Sequence, residues 1–366
     1  SDCDCFNGVD CTSLPPADNF DARLAWESPV DQLSWTGVPI VANLNPQTDS
    51  LPEIIVPVAA SSFFTPAHTL QIFKGDGANA ASPDEIYFPV GFEWQLTAHP
   101  VVADVNSDGV PELLILESNG YIRVYKNYTP GANPCMQFWL ISDQPAGFLI
   151  RPMLADFDQD GTPEVYAGND VFRFNFTDPA NPQLLRVLDG SGPAGQIFGG
   201  ANAVMAADLL TPADCNGDPD CNGLELAAGS VIYSIDIDLL DGDGYQIKVA
   251  KNLNSLAPGF TWEDGFTTVG DIDLDGIPDV VVSAKRSNGS GTQYGVYVWN
   301  KNGLVHFFGI PTPSSLFGGL PAVANVYDDT QSGASKDLPE IIVCSNTKLN
   351  CLNINAANAT PAQPWW

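Results

Sequence analysis

Short apolar runs alternate with polar turns along this chain, and six pairs of runs share one layout. Thr268–Ser283, TVGDIDLDGIPDVVVS, shows it best: a short apolar strand, a tight acidic loop, then a second strand opened by proline and an acid. Val101–Leu116 (VVADVNSDGVPELLIL) and Met153–Gly168 (MLADFDQDGTPEVYAG) repeat it closely. Val204–Gly229 keeps both strands, VMAAD and LELAAG, around a stretched loop. Val38–Val58 and Ala322–Cys344 keep the strands around degraded loops. With Asn43, Asp104, Asp156, Asp208, Asp271 and Asn325 as equivalent points, the steps are 61, 52, 52, 63 and 54 residues. Spacing of that size marks a repeat architecture.

Each repeat predicts four strands. In the second these are Val101–Val105, Glu112–Leu116, Tyr121–Lys126 and Gln137–Ile141; in the third, Met153–Asp156, Glu164–Ala167, Val171–Phe176 and Gln183–Leu188. The fifth gives Thr267–Gly270, Asp279–Ser283, Gly295–Asn300 and Gly303–Gly309. Four-stranded antiparallel units at this period are blades of an all-β propeller, whose circular closure leaves only short edges. The sixth repeat runs out after Leu349–Asn355, while Phe20–Glu27 precedes the first with nothing to join. That N-terminal strand is therefore expected to complete the last blade and close a six-bladed ring; seven blades is the alternative from length alone. Residues 1–18 read as an irregular cysteine-bearing leader, 19–356 as the propeller, and 357–366 as a tail or linker.

Composition narrows the function classes. Against 44 acids stand only 14 Lys and Arg, a net charge of −30, which disfavours nucleic acid and anionic membrane surfaces and favours cations. Eight cysteines suggest an oxidising compartment. Cys215 with Cys221, inside the stretched loop, and Cys344 with Cys351, flanking the hairpin SNTKLN, are disulfide candidates; pairings of Cys3, Cys5, Cys11 and Cys135 stay open. No run is long and apolar enough for a membrane span. Asn127, Asn175, Asn288 and Asn358 begin N-glycosylation sequons.

The alternating acids place three side-chain oxygens around one point, and the following glycine permits a sharp turn. Positions 1, 3, 5 and 9 supply side chains and position 7 a carbonyl. The sets are Asp104, Asn106, Asp108 and Glu112 with Val110; Asp156, Asp158, Asp160 and Glu164 with Thr162; and Asp271, Asp273, Asp275 and Asp279 with Ile277. Position 12 holds Ile115, Ala167 or Val282, so these are not EF-hands. Three carboxylates a few ångströms apart repel by roughly 1–4 kcal/mol per pair, which a divalent cation offsets. Asp218, Asp220, Asn222 and Glu225 form a compressed version, leaving a fourth site open.

The loops DVNSDGVPE, DFDQDGTPE and DIDLDGIPD, with the turns IFGGANA and LFGGLPA, resemble the FG-GAP/VCBS-type repeat of the integrin α-subunit propeller. The resemblance implies calcium in the loop joining the first two strands of some blades. It leaves the ligand undetermined, and because the loops lie between adjacent strands of a blade, the ion is expected to be structural.

His68, His99 and His306 stand in no metalloprotease spacing, and neither GxSxG nor a phosphate-cradling loop is present. The expected function is a secreted or cell-surface calcium-binding module for adhesion, recognition or scaffolding, and not an enzyme. Its partner would be a protein or glycan ligand at a cell surface or matrix, or a larger surface assembly. The alternative is a propeller-fold polysaccharide lyase or glycosidase, for which two carboxylates suffice. In propellers of this family the metal loops sit on one face; the opposite face would here carry Phe63, Phe64, Arg151, Trp262 and Arg286, aromatics beside rare cations that form a candidate recognition patch. The competing view is that these aromatics only fill space between blades.

Overall fold

The structure, a computed structural model, describes residues 25–28, 34–35, 39–48, 50–59, 67–87, 100–117, 119–146, 151–197, 201–215, 217, 221, 223–237, 244–310, 320–326, 338–345 and 348–354. Among them, five sheets each contain four consecutive antiparallel strands. In the second repeat these are Val101–Ala103, Glu112–Leu116, Ile122–Lys126 and Gln137–Ile141. In the third they are Pro152–Ala155, Glu164–Ala167, Asp170–Asn175 and Gln183–Leu188. The fourth repeat has Met205–Ala207, Glu225–Ala228, Val231–Asp236 and Gln246–Asn252. The first has Ile40–Ala42, Glu53–Ala59, Ala67–Lys74 and Asp84–Tyr87. The sixth has three described strands, Ala322–Ala324, Glu340–Ser345 and Lys348–Leu352.

The second strands explain how these sheets stack. Glu112–Leu116 is buried along its whole length, and its side chains divide by parity. Leu113 and Ile115 pack with Leu44, Ile55, Leu70 and Ile72 of the first repeat. Leu114 and Leu116 pack with Val165 and Phe172 of the third. Similar clusters join the third repeat to the fourth, the fourth to the fifth, and the fifth to the sixth. A strand covered on both faces must be a continuous apolar run, as ELLIL is. Each such Leu or Ile contributes about 1.5–3 kcal/mol by burial. No core cluster of described residues joins the sixth sheet to the first.

A register shift recurs at one place in the third strands of repeats two to five: Val124/Tyr125, Val171/Phe172, Ile232/Tyr233 and Val298/Trp299. The second residue is each time a buried aromatic. A bulge adds local twist, and a large ring then fills the wedge between successive twisted sheets.

Several expectations change. The fifth repeat's central strands are ten residues each, Asp279–Asn288 and Gly291–Asn300, so Lys285–Gln293 is a hairpin and not an irregular loop. Thr261–Trp262 adds a short strand beside that hairpin. Asp236 is buried at the end of the strand Val231–Asp236, and residues 238–243 lie outside the described residues. Of the N-terminal strand expected at Phe20–Glu27, only Ala25–Glu27 is described. Ala25–Ser28 is not a strand, and it lies on the first repeat. Trp26 Nε1 donates to the Gly75 carbonyl (3.1 Å), its ring packs on Phe73 at 5.9 Å, and Ser28 Oγ donates to Ala80 O. Residues 1–24 and 355–366 lie outside the described residues, and with them the leader, the tail and the rest of the proposed closing strand. No described helix is long and apolar enough to cross a membrane.

Candidate metal centre

Three loops between first and second strands share one geometry, written into their polar side chains. In the second repeat Asp104 accepts from the Asp108 and Gly109 amides (3.1 and 2.8 Å), Asn106 Oδ1 from Asp108, and Asp108 from Val110. The third repeats this with Asp156, Asp158 and Asp160. The fifth repeats it with Asp271, Asp273 and Asp275. Asx side chains thus wrap the backbone into consecutive turns. Positions 4 and 6 are left-handed in all three loops: Ser107 and Gly109, Gln159 and Gly161, Leu274 and Gly276. At Gly276, φ is +86° and an added Cβ would meet nothing within 4 Å, so the glycine serves conformation and not space.

The wrap draws one oxygen each of Asp156, Asp158 and Asp160 within 4.8 Å of one another, and likewise of Asp271, Asp273 and Asp275. Asn106 holds the same place in the second loop through its amide. An all-oxygen set suits a hard cation such as calcium. Position 9 adds a second sign of fit: Glu164 is fully buried, and its Oε1 has no hydrogen-bond donor. In the same loop Arg173 reaches Asp158 and Asp160 at 2.8 and 2.7 Å.

Position 9 proves to have a further role. In all six repeats the acid opening the second strand accepts a backbone N–H from just beyond the first strand. The pairs are Leu44–Glu53, Val105–Glu112, Phe157–Glu164, Leu209–Glu225, Ile272–Asp279 and Val326–Glu340, at 2.8–3.1 Å. Burial pushes Glu112 and Glu225 up to about 7, Glu164 to about 8 and Asp279 to about 7; the backbone donors oppose this and neighbouring aspartates add to it. In two of the three loops the other oxygen also has a donor: Asn106 Nδ2 for Glu112 and Asn300 Nδ2 for Asp279. The signal for this role is the segment LPEII, present in the first and sixth repeats although their loops lack the alternating acids. In the fourth loop Asp218, Asp220 and Asn222 lie outside the described residues, while Glu225 is buried with Oε1 lacking a donor.

The expected ligand face is revised. Trp262 is 2% exposed and belongs to the core between repeats four and five. Arg286, half-buried, lies over Phe260 (4.1 Å) and Phe307 (3.6 Å) and so packs on the same cluster. Arg151, partly buried, sits over Phe266 at 5.7 Å. Phe63 and Phe64 lie outside the described residues. The exposed large aromatic among the described residues is Phe138, 50% exposed, on the fourth strand of the second repeat.

The Cys215–Cys221 disulfide is formed. The Cys344–Cys351 staple is not: register sets Cys344 opposite Leu349 and Cys351 opposite Ile342, a diagonal too long for a disulfide. Cys135 is a buried thiol, pushed up to about 11 chiefly by burial.

Two family matches fall on these loops: the FG-GAP-like repeat on residues 104–167 and the FG-GAP repeat on 266–299. No curated protein sequence matches the chain. Among solved structures, the Vibrio cholerae biofilm matrix protein Bap1 is similar with a TM-score of 0.52 and 18% identity, over 85% of this chain and 46% of that one. This chain thus spans less than half of Bap1. The BBS1N part of a complex with ARL6DN gives 0.45 at 12% identity, covering 91% and 85% of the two chains. The C-terminal domain of Pseudomonas aeruginosa PilY1 gives 0.40 at 14%, covering 88% and 71%. At such identity the Bap1 likeness speaks to fold alone.

Proposed function

We propose that this chain, which carries FG-GAP repeats, is an extracellular, calcium-stabilised β-propeller serving as an adhesion, recognition or scaffold module. The carrying observation is the identical hydrogen-bonded wrap of three acidic loops, two of which bring three carboxylate oxygens within 4.8 Å of one another. Residues 104, 106 and 108, 156, 158 and 160, and 271, 273 and 275 would hold the ions, with the carbonyls of Val110, Thr162 and Ile277 and a share of position 9. Bound calcium would cancel carboxylate repulsion between two strands of a blade and so stabilise the sheet rather than catalyse a reaction. At millimolar calcium and a Kd of tens of micromolar the gain is on the order of 2 kcal/mol per site.

Five successive sheet interfaces support a reading as six blades. Protein or glycan ligands at a surface or matrix are the partners this fold suits. Calorimetry with calcium and thermal melts with and without EDTA test the proposal. Calcium uptake with a chelator-sensitive melt is expected; neither, in a folded sample, overturns the metal assignment. Turnover of a polysaccharide by the purified chain would replace the module with an enzyme.

A further inference from the structure

Resting on the calcium assignment above, we propose that Arg173 is the resident cation of the third-repeat loop and holds down that loop's affinity for calcium. Arg173 lies in Asp170–Asn175, where the register brings it opposite Glu164. Its Nη2 is 2.8 Å from Asp158 Oδ2 and 2.7 Å from Asp160 Oδ2, and its Nε is 3.9 Å from Glu164 Oε1. One guanidinium therefore engages three of the four carboxylates assigned to this loop. Nη1 donates to the Ile237 carbonyl of the fourth repeat at 3.1 Å, which tethers the group in place.

The equivalent position differs elsewhere. By the same register it is Lys126 in the second repeat, whose Nζ lies over the Trp139 ring at 4.4 Å. In the fifth it is Asn300, a neutral donor to Asp279. A divalent ion entering the third loop must share carboxylates with a fixed positive charge or displace it. A unit charge about 4 Å from a divalent ion weakens binding on the order of tenfold or more even at the dielectric of water.

The test uses the full chain with calcium alone as the probe, read by calorimetry and by melts in chelated and calcium-loaded buffer. Arg173→Gln is expected to tighten one binding step about tenfold or more, or to add one bound equivalent. Adding Asp158→Asn should abolish that gain, and Arg173→Lys, which keeps the charge, should show little of it. In chelator, Arg173→Gln should melt lower than wild type, and calcium should restore it; a purely structural arginine would give a loss that calcium leaves in place. An unchanged isotherm in folded Arg173→Gln overturns the role of Arg173 while leaving calcium binding intact. No uptake by any variant overturns both.

Discussion

Replacing Glu225 by glutamine should remove a loss of stability that the wild type suffers as pH rises above 5. Glu225 is fully buried; its Oε2 accepts from the Leu209 and Leu210 amides at 2.8 and 2.9 Å, and Oε1 has no donor. Burial is the largest cause of its rise from 4.5 to about 7, opposed by those amides and helped by Asp208. Between these values the folded chain keeps a proton that the unfolded chain has released. Stability therefore falls as pH rises through that window, and the penalty is complete above it. From pH 5 to pH 8 the loss is about 2–3 kcal/mol at 1.36 kcal/mol per unit. Glutamine keeps an acceptor for both amides and cannot ionise, so this part of the pH dependence should disappear.

The assay is thermal melting in EDTA at pH 5 and pH 8, for wild type, Glu225→Gln and Glu225→Ala. The wild type should lose about 3 °C more than Glu225→Gln over that range, at roughly 1 °C per kcal/mol for a chain this long. Alanine should cost about 1–3 kcal/mol for each stranded amide at both pH values. Parallel pH profiles for wild type and glutamine would show that Glu225 titrates as it does in the unfolded chain. An alanine variant as stable as glutamine would show that the two amides find other partners.

Gly276→Ala should cost about 1–2 kcal/mol from the left-handed backbone alone, whereas at Gly195 a Cβ would stand 2.2 Å from the Ala203 carbonyl. Chemical melts should rank Gly195→Ala clearly worse; equal losses would refute the distinction between conformation and space. Arg286→Ala should lower the melt and alter near-ultraviolet circular dichroism through lost packing on Phe260 and Phe307. An unchanged melt with lost surface binding would return Arg286 to the ligand face. Reducing the Cys215–Cys221 bond, which spans a sequence separation of 6, should cost roughly 2 kcal/mol, read as a melting shift with and without reductant.

Much of the fold was legible because its strands are short apolar runs between Asx turns. Glu112–Leu116, Glu164–Ala167 and Gly303–Gly309 begin and end where the pattern says they should. The polar run KRSNGSGTQ hid the hairpin of the fifth repeat, because a ribbon projecting past the core needs no apolar face. Left-handed Ser107, Gln159 and Leu274 carry no glycine to announce them; the flanking Asx hydrogen bonds hold them there. Spacing suggested a Cys344–Cys351 bond, but hairpin register decides that question, and two residues of offset suffice to prevent it. Arg173 was missed because its link to Asp158 runs across strands, where loop motifs give no sign.

The first and sixth repeats separate two jobs that the middle loops combine. Glu53 and Glu340 still hold the Leu44 and Val326 amides, although the acids that would gather a cation have gone from their loops. The buried acid therefore fixes the step from first to second strand whether or not a metal follows. Desolvation of Glu112, Glu164, Glu225 and Asp279 costs stability at neutral pH, and an ion or an asparagine on the second oxygen relieves part of that cost. Asn300 does so for Asp279, and Asn353 likewise donates to the second oxygen of Glu340. A repeat can thus lose its metal without losing its register, provided the acid stays and some cation or amide answers it. In the third repeat Arg173 already answers it from within the chain, so order in that blade should survive a chelator.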